Sequence, residues 1–276
     1  MRSGAPNWHV DGAQQVSVAA PAKLTLSLRV VGTRDDGHHL LEAEMVTVDL
    51  ADSLTFVRGV GLMIVDEIAN GAGLRGLDAG PSNLVSRAME LVGRRSAIHL
   101  VKRIPVRGGL GGGSADAAAV LRWAGGQSAA VAARLGSDVP FCLVGGRARV
   151  GGTGEIVEPL PFEERTFLLL LPPIEVDTGA VYRAFDHLGR IPAGRHQSSN
   201  DLELAAISVA PELAHWRDSF GDATGRVPQL AGSGSTWFVE GSQEDLGLGD
   251  REFLVLGDQR APLVSVGTIP PGTSPE

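Results

Sequence analysis

Residues 105–119 have the sequence PVRGGLGGGSADAAA, and this stretch decides how the rest of the chain is interpreted. Five glycines and one leucine run directly into an alanine-rich segment that is expected to be a helix. Glycine has no side chain, so backbone N–H groups can approach an anion closely. The start of the helix adds unpaired N–H donors and the positive end of the helix dipole. The stretch therefore predicts a phosphate-binding loop; the alternative is a flexible glycine loop. It has neither the G-x-x-x-x-G-K-[ST] pattern nor the G-x-G-x-x-G spacing of the common nucleotide motifs.

Length and composition are those of an ordinary globular protein with a large core. The chain has 276 residues, 43% hydrophobic and 20% charged, and a formal net charge of −8. That charge argues weakly against a general nucleic-acid or membrane-surface partner. Cys142 is the sole cysteine, so no intrachain disulfide is possible and a reducing cytoplasm is the expected location. No apolar run approaches the ~20 residues of a membrane span, and the first ten residues lack the apolar core of a signal peptide.

The spacing of apolar residues predicts a mixed α+β chain with strands clustered early. Alternation of Leu24, Leu26, Leu28 and Val30 with polar residues predicts a half-buried strand, whose polar face carries Lys23, Thr25 and Ser27. A turn at Asp36-Gly37 and further strand to about residue 57 follow. The other predicted strands are 97–104, 147–150, 155–160, 167–171 and 236–239. The predicted helices are one capped by Ser82 and ending near 92, then 114–124, 128–135 with a cap at Gly136, 178–188, 201–208 and 212–220. A soft domain boundary falls at residues 159–161.

Eight separate segments, in order along the chain, resemble the motifs of one enzyme family. They are PAKLTLSL from Pro21, DDGHH from Asp35, GLGGGSADAA from Gly109, LGSDVPFCL from Leu135, GTGEIVEPLP from Gly152, VDTGAVYRAFD from Val176, SSNDLE from Ser198 and AGSGSTWFV from Ala231. The family is the GHMP kinases, named for galactokinase, homoserine kinase, mevalonate kinase and phosphomevalonate kinase. Within it, the segments are most similar to the branch that phosphorylates a cytidine-diphosphate-linked sugar alcohol of non-mevalonate isoprenoid synthesis.

This resemblance implies a two-domain fold and an ATP-dependent reaction. Residues 1–159 would form the ATP-binding N-terminal domain, like ribosomal protein S5 domain 2. Residues 160–276 would form a ferredoxin-like C-terminal domain on the substrate side. ATP and Mg²⁺ are the implied cofactors, and the partner is a small cytidine-diphosphate-linked molecule, with the enzyme a monomer or homodimer in the cytoplasm.

The resemblance also assigns the phosphate loop. Pro105, Leu110 and Ser114 would belong to the ATP site together with the five glycines of the loop, namely Gly108, Gly109, Gly111, Gly112 and Gly113. Ser114 would reach a phosphate or Mg²⁺ from the helix start, or would simply cap the helix; both roles can coexist.

Two residues are the candidates for catalysis. Asp138 would accept the proton of the substrate hydroxyl or orient that hydroxyl; its alternative role is to cap a turn ahead of Pro140. Lys23 would lower the pKa of that aspartate and stabilise charge on the migrating phosphoryl group; its alternative is a solvated strand lysine.

The implied acceptor site departs from the family pattern at two positions. The family usually has Asn where this chain has Thr25, and Tyr or Phe where it has His38. In the family that aromatic residue stacks on cytosine and the next residue, here His39, hydrogen-bonds the base. The alternative for His38 is a plain hairpin turn. Thr178, Asn200 and Asp201, with Gly232 and Ser233, would line or support the site. Adjacent histidines without Cys or carboxylate partners are poor zinc ligands.

Two other functions remain open at this point. One is another small-molecule kinase of the same superfamily, of the homoserine or mevalonate type. The other is a nucleotide-binding protein of this fold with lost or altered catalysis, which the departures at Thr25 and His38 suggest.

Overall fold

The computed structural model describes residues 15–68, 77–189 and 198–273. These residues form two antiparallel-rich sheets with helices packed against them, which confirms the mixed α+β class predicted from the sequence. No helix among them is long and apolar enough to cross a membrane.

The first sheet is built around a long hairpin near the start of the chain. Its strands are β1 (Val16–Thr33), β2 (His39–Val57), β3 (Gly61–Asp66), β4 (Ala97–Lys102), β5 (Arg147–Gly152) and β6 (Ile156–Leu160). The order is β3-β4-β2-β5-β6, with β1 antiparallel to β2 and only β3 and β4 parallel. The predicted turn closes the hairpin, and Gly37 adopts a φ of 88° there, a conformation that glycine reaches without strain.

Four helices cover this sheet and bury a core against it. They are α1 (Leu84–Val92), α2 (Gly112–Trp123), α3 (Ala129–Ala133) and α4 (Val139–Val144). Helix α2 is buried over most of its length, including Ala115 and the run Ala117–Ala119. Alanine side chains are small, so the helix that follows the glycine loop lies close against the sheet.

The second sheet is antiparallel throughout. Its strands are β7 (Thr166–Leu170), β8 (Gln229–Leu230), β9 (Trp237–Glu240), β10 (Phe253–Leu256) and β11 (Gln259–Gly267), in the order β10-β11-β7-β9-β8. Strand β7 is central, and four of its five residues are buried, as its continuous apolar sequence predicted. The helices on this sheet are α5 (Thr178–Leu188), α6 (Glu203–Val209) and α7 (Glu212–Thr224).

A third apolar cluster joins the two sheets and carries the glycine loop. It combines Leu24 of β1, Val46 of β2 and Leu169 of β7 with Ile104 and Leu110, which lie on either side of the loop's first glycines. The loop is therefore fixed to the core before its first glycine, at Ile104, and in its middle, at Leu110. The predicted boundary at residues 159–161 falls at the end of β6, the last strand of the first sheet, and β7 of the second sheet begins at Thr166. That division into two domains remains a proposal.

Several local expectations were wrong. Helix α1 is capped by Asn83, whose side chain accepts a hydrogen bond from the Val85 N–H, and not by Ser82. Helix α2 begins two residues earlier than predicted, with Gly111 at its N-cap. Helix α3 ends at Ala133, and its C-cap is Arg134 and not Gly136.

Three elements were not predicted at all, namely helix α4, strand β3 and the two-residue strand β8. Beyond residue 239 the sequence predicted further strands without bounds, and β10 and β11 lie there. Helix α4 was missed because it is short and holds Pro140, which the first turn of a helix tolerates since its N–H would be unpaired there anyway. Strand β3 was missed because it is an edge strand of only six residues, which carries a weak periodic signal.

Candidate active site

A cleft of about 490 Å³ opens in front of the glycine loop. That is within the range of small-molecule sites. It is lined by most of the predicted ATP and catalytic residues, namely Lys23, Pro105, Gly108, Gly109, Gly111, Gly112, Gly113, Ser114, Asp138 and Thr178. Leu110 is the exception in the loop, because its side chain is fully buried in the cluster that joins the two sheets.

The glycines of the loop are required by close packing as well as by access to the backbone. A Cβ atom on Gly109 would lie 2.0 Å from the carbonyl oxygen of Ala231, and the residue has a φ of 79°. A Cβ on Gly111 would lie 2.8 Å from Cγ of Lys23. The loop is thus seated on its neighbours, and the alternative of a loose glycine loop is wrong.

The position of Gly112 in the loop differs from what its lack of a side chain suggests. If the loop glycines leave room for phosphate because they have no side chain, a larger residue at Gly112 is expected to block ATP. The structure directs a Cβ at Gly112 inward, 3.0 Å from Cγ2 of Ile104 and 3.1 Å from Nζ of Lys102. A side chain on residue 112 would therefore clash with the protein interior before it could occupy the phosphate site.

Ser114 is not the helix cap. Gly111 occupies the N-cap with no side-chain hydrogen bond, and Ser114 is the third residue of α2. Residues Gly111–Ser114, at the start of this helix, line the cleft, and no side chain caps the N–H groups of the first turn. Uncapped N–H groups at the start of a twelve-residue helix are suited to an anion.

Lys23 and Asp138 lie together at the open side of the loop. The Lys23 ammonium is 3.5 Å from Oδ2 of Asp138, and it donates a hydrogen bond of 3.0 Å to Oγ1 of Thr25. Lys23 is only 5% exposed, so the alternative of a solvated strand lysine is wrong. Asp138 stands at the N-cap of α4 but makes no capping hydrogen bond with its side chain. Its carboxylate faces Lys23 instead, which does not fit the alternative of a turn cap.

Behind the loop lies a buried charge cluster that the sequence analysis missed. Lys102 is paired with Asp52 and, at 2.7 Å, with Asp116, and all three are at most 2% exposed. Burial, together with the Asp52 carboxylate, raises the pKa of Asp116 to about 7, although Lys102 opposes that rise. Asp52 also accepts hydrogen bonds from the N–H groups of Arg103 and Ile104, immediately before the loop. A lysine closing an apolar strand, with an aspartate inside a helix of alanines, was the signal available in the sequence.

The predicted acceptor residues fall into two groups. Thr178 lines the cleft, and its hydroxyl is 2.8 Å from the hydroxyl of Ser233. Thr25 lies behind Lys23 and does not line the cleft. Asn200 and Asp201 also lie off the cleft.

The side chains of Asn200 and Asp201 form hydrogen bonds with backbone groups of other segments. The Asn200 amide donates to the carbonyl oxygens of Leu230 and Gly232 at 2.9 and 2.6 Å. Asp201 is paired with Arg29 at 2.6 Å and accepts from the Val30 N–H. These contacts tie β1 to the segments that border the cleft.

The two histidines lie beside the cleft and not in it. His38 is in the hairpin turn with a side chain 65% exposed, so the turn interpretation describes its position. His39 stacks on Tyr182 with ring centroids 4.7 Å apart, and its Nε2 is 2.7 Å from Oδ1 of Asp186. A groove of about 350 Å³ adjoins His39, Phe185 and Asp186.

Tyr182 was not predicted and connects this groove to the main cleft. It lines the cleft, and its ring stacks on that of His39. Burial and the charge of Asp138 raise the pKa of its hydroxyl above the ordinary value. The phenol therefore stays protonated at neutral pH and can donate a hydrogen bond.

The glycine loop lies at the uncapped start of a helix, and it shares one cleft with the pair of Lys23 and Asp138. This arrangement defines a class of protein, the small-molecule kinases of the GHMP type. Residues 83–146 match the model of the GHMP kinases N terminal domain. The chain belongs to the 4-diphosphocytidyl-2-C-methyl-D-erythritol kinase family.

Three relatives carry that assignment. The chain is 40% identical to the kinase of that name from Paracoccus denitrificans over 80% of this chain and 85% of the relative. It is 36% identical to the one from Ruegeria pomeroyi over 81% and 88%. The crystal structure of a 4-(cytidine 5'-diphospho)-2C-methyl-D-erythritol kinase superposes with a TM-score of 0.66 at 30% identity, covering 91% of this chain and 99% of that one.

Proposed function

We propose that this protein transfers the γ-phosphoryl group of ATP to a hydroxyl of 4-diphosphocytidyl-2-C-methyl-D-erythritol. The names of its relatives supply the reaction. The single observation that carries it to this chain is the contact of Lys23 with Asp138 beside the glycine loop, in one cleft. A phosphoryl transferase needs an anion cradle and a partner for the hydroxyl proton, and these two features supply both.

The loop would hold the triphosphate through backbone N–H groups. Its glycines leave the backbone uncovered, and the helix α2 dipole adds a favourable potential for negative charge. Ser114 would add a hydroxyl from the first turn of the helix. Pro105 sets the entry of the loop, since its ring lies against the position where a Gly108 side chain would stand.

Mg²⁺ fits the donor set of the cleft. No group of three or more ligating His, Cys, Asp or Glu side chains occurs among the described residues. Mg²⁺ does not need one, because it is commonly held by one or two protein oxygens, water and the phosphates themselves. Ser114 is the proposed hydroxyl ligand, and Asp138 is a carboxylate that borders the same cleft. When bound, the ion would neutralise part of the phosphate charge.

Lys23 and Asp138 would carry out the transfer. Asp138 would orient the acceptor hydroxyl and take its proton as the new P–O bond forms. Lys23 lies beside that carboxylate and would offset negative charge on the phosphoryl group in flight. Thr25 fixes the ammonium in place through its hydroxyl, so its role in acceptor binding would be exerted through Lys23.

The acceptor would extend from Asp138 past Thr178 and Tyr182 to the groove beside His39. The ring of His39 is already oriented by Asp186 and Tyr182, and the groove offers the flat faces that a pyrimidine needs. His38 would stand in for the usual aromatic residue at the hairpin. Asn200 and Asp201 would support the site by holding β1 and the Gly232 segment.

A substrate panel tests the proposal. The purified protein is incubated with ATP and Mg²⁺, and ADP release is measured with methylerythritol cytidyl diphosphate, homoserine or mevalonate as acceptor. We expect turnover with the cytidylyl compound alone, and its loss with excess EDTA. Turnover with homoserine or mevalonate instead would move the chain to a sister kinase. Nucleotide binding without turnover of any acceptor would favour a binding protein.

A further inference from the structure

Arg107 occupies a backbone conformation that suits glycine. Its φ is 55°, and it is the one non-glycine residue with positive φ in the described part of the chain. The neighbouring loop residues with positive φ, Gly109 and Gly111, are both glycine. A non-glycine residue in this region costs about 1 kcal/mol or more. Glycine would be less strained at this position. The presence of arginine therefore indicates that its side chain has a function.

The side chain of Arg107 does little for the folded protein. It lines the cleft and is 51% exposed. Within residues 15–68, 77–189 and 198–273, its charged contact is Glu175, at 3.9 Å, and no hydrogen bond joins the two. A pair at that distance, with a half-exposed arginine and no hydrogen bond, is worth little to stability. Glu175 keeps a buried Oε1 atom without a hydrogen-bond partner, so neither group is satisfied by the other.

The other two cations of the cleft are already engaged. Lys23 is held by Thr25 and Asp138, and Lys102 by Asp52 and Asp116. Among the residues that the structure describes, three cations line the cleft, Lys23, Lys102 and Arg107, and so do three anions, Asp78, Asp116 and Asp138. A lining with balanced charge does not favour a polyanion by itself. Arg107 is the cation among the described lining residues that can turn to a ligand without breaking a hydrogen bond.

We infer that Arg107 binds a phosphate group of the ligand in the cleft and sets the affinity for polyphosphate. This inference rests on the proposed function. A guanidinium offers paired N–H donors to phosphate oxygens, and such charge-assisted bonds are among the strongest available. Glu175 holds the side chain loosely at the mouth of the cleft until the ligand arrives. The phosphate belongs either to the triphosphate of ATP or to the diphosphate of the acceptor.

Two variants separate charge from backbone strain. Arg107→Gly removes the charge and relieves the strained φ, whereas Arg107→Ala removes the charge and keeps the strain. We expect urea unfolding to show Arg107→Gly at least as stable as the wild type. By titration calorimetry, both variants should bind ADP about 10-fold more weakly, while AMP affinity changes less than 2-fold. A matching loss for the cytidylyl acceptor in place of ADP would assign the diphosphate as the bound group.

Two results would overturn the inference. One is unchanged affinity of both variants for ADP and for the acceptor. The other is a loss confined to Arg107→Gly, which would mean that the loosened backbone, and not the missing charge, is responsible. Failure of the proposed function is a different result. It would appear as wild-type protein that binds ADP normally yet transfers no phosphoryl group to the cytidylyl acceptor.

Discussion

The ammonium of Lys23 lies 3.5 Å from the carboxylate of Asp138, although one residue is in the first strand and the other at the start of the fourth helix. Both face the glycine loop, and the backbone N–H of Lys23 also donates to the Leu110 carbonyl inside that loop. Strand, loop and helix therefore converge on one pair of charges.

Asp138→Asn should lower kcat by about 10²–10⁴, because an amide cannot take the proton of the acceptor hydroxyl. The KM values for ATP and acceptor should stay within a few-fold, since the amide keeps the shape of the side chain. Steady-state assays of ADP release measure this. The control is Asp222→Asn on the exposed surface of α7, which should be fully active. A loss of only a few-fold at residue 138 would reduce Asp138 to a structural role.

Gly109→Ala should lower the free energy of unfolding by more than 2 kcal/mol or prevent folding. Its Cβ would lie 2.0 Å from the carbonyl oxygen of Ala231, at a φ of 79° where alanine is strained. Gly113→Ala is the matched control, because its Cβ would make an ordinary 3.5 Å contact with Leu84. That variant sits inside a helix and should be unchanged or slightly more stable by up to ~1 kcal/mol. Urea unfolding compares the two, and equal stabilities would contradict this account of the loop.

Lys102→Met should cost about 3–5 kcal/mol of stability. The substitution leaves Asp52 and Asp116 buried with no cation between them. Arg149→Met, which removes an exposed partner of Glu158, should change stability by less than ~0.5 kcal/mol. Denaturant titrations at neutral pH give both values. If Lys102→Met were as mild as Arg149→Met, the buried cluster would not be what holds the base of the loop.

His39→Ala should raise the KM of the cytidylyl acceptor about 10-fold and leave the KM of ATP nearly unchanged. The imidazole stacks on Tyr182 and borders the groove proposed for the base. His187→Ala is the control, because that ring is exposed and, in the described part of the chain, its hydrogen bond is to the Arg183 carbonyl of its own helix. An equal rise in both KM values would instead indicate a general loosening of the site.

Cys142 should resist thiol reagents in the folded protein. Burial raises the pKa of its thiol to about 12, so at pH 8 only about one molecule in 10⁴ carries a thiolate. Because folding raises the pKa of this thiol, its protonation stabilises the folded state. This contribution is fully present below pH 9 and is lost as the pH rises towards 12. Labelling at pH 8 with a disulfide reagent, with and without urea, measures the effect. Labelling of native protein as fast as that of the unfolded chain would contradict the burial.

Local chemistry along the chain specified much of this structure. The alternating apolar residues of β1, the turn at Gly37 and the apolar run of β7 were all recognisable, because each depends on near neighbours. The loop and its helix were recognisable for the same reason. Lys23 and Asp138 became candidates through the resemblance of their segments to the family's motifs.

What only the tertiary structure decided is which side chains meet. Three sets of contacts join residues from different elements. Lys102 is buried with Asp52 and Asp116, the Asn200 amide donates to the Gly232 carbonyl, and Tyr182 stacks on His39. The direction in which a Gly112 side chain would point, and the positive φ of Arg107, depend likewise on how the loop is seated on the core. Hydrophobic periodicity tells which face of an element is apolar, but contact between distant charges is set by the packing of whole layers, and no short window of sequence contains it.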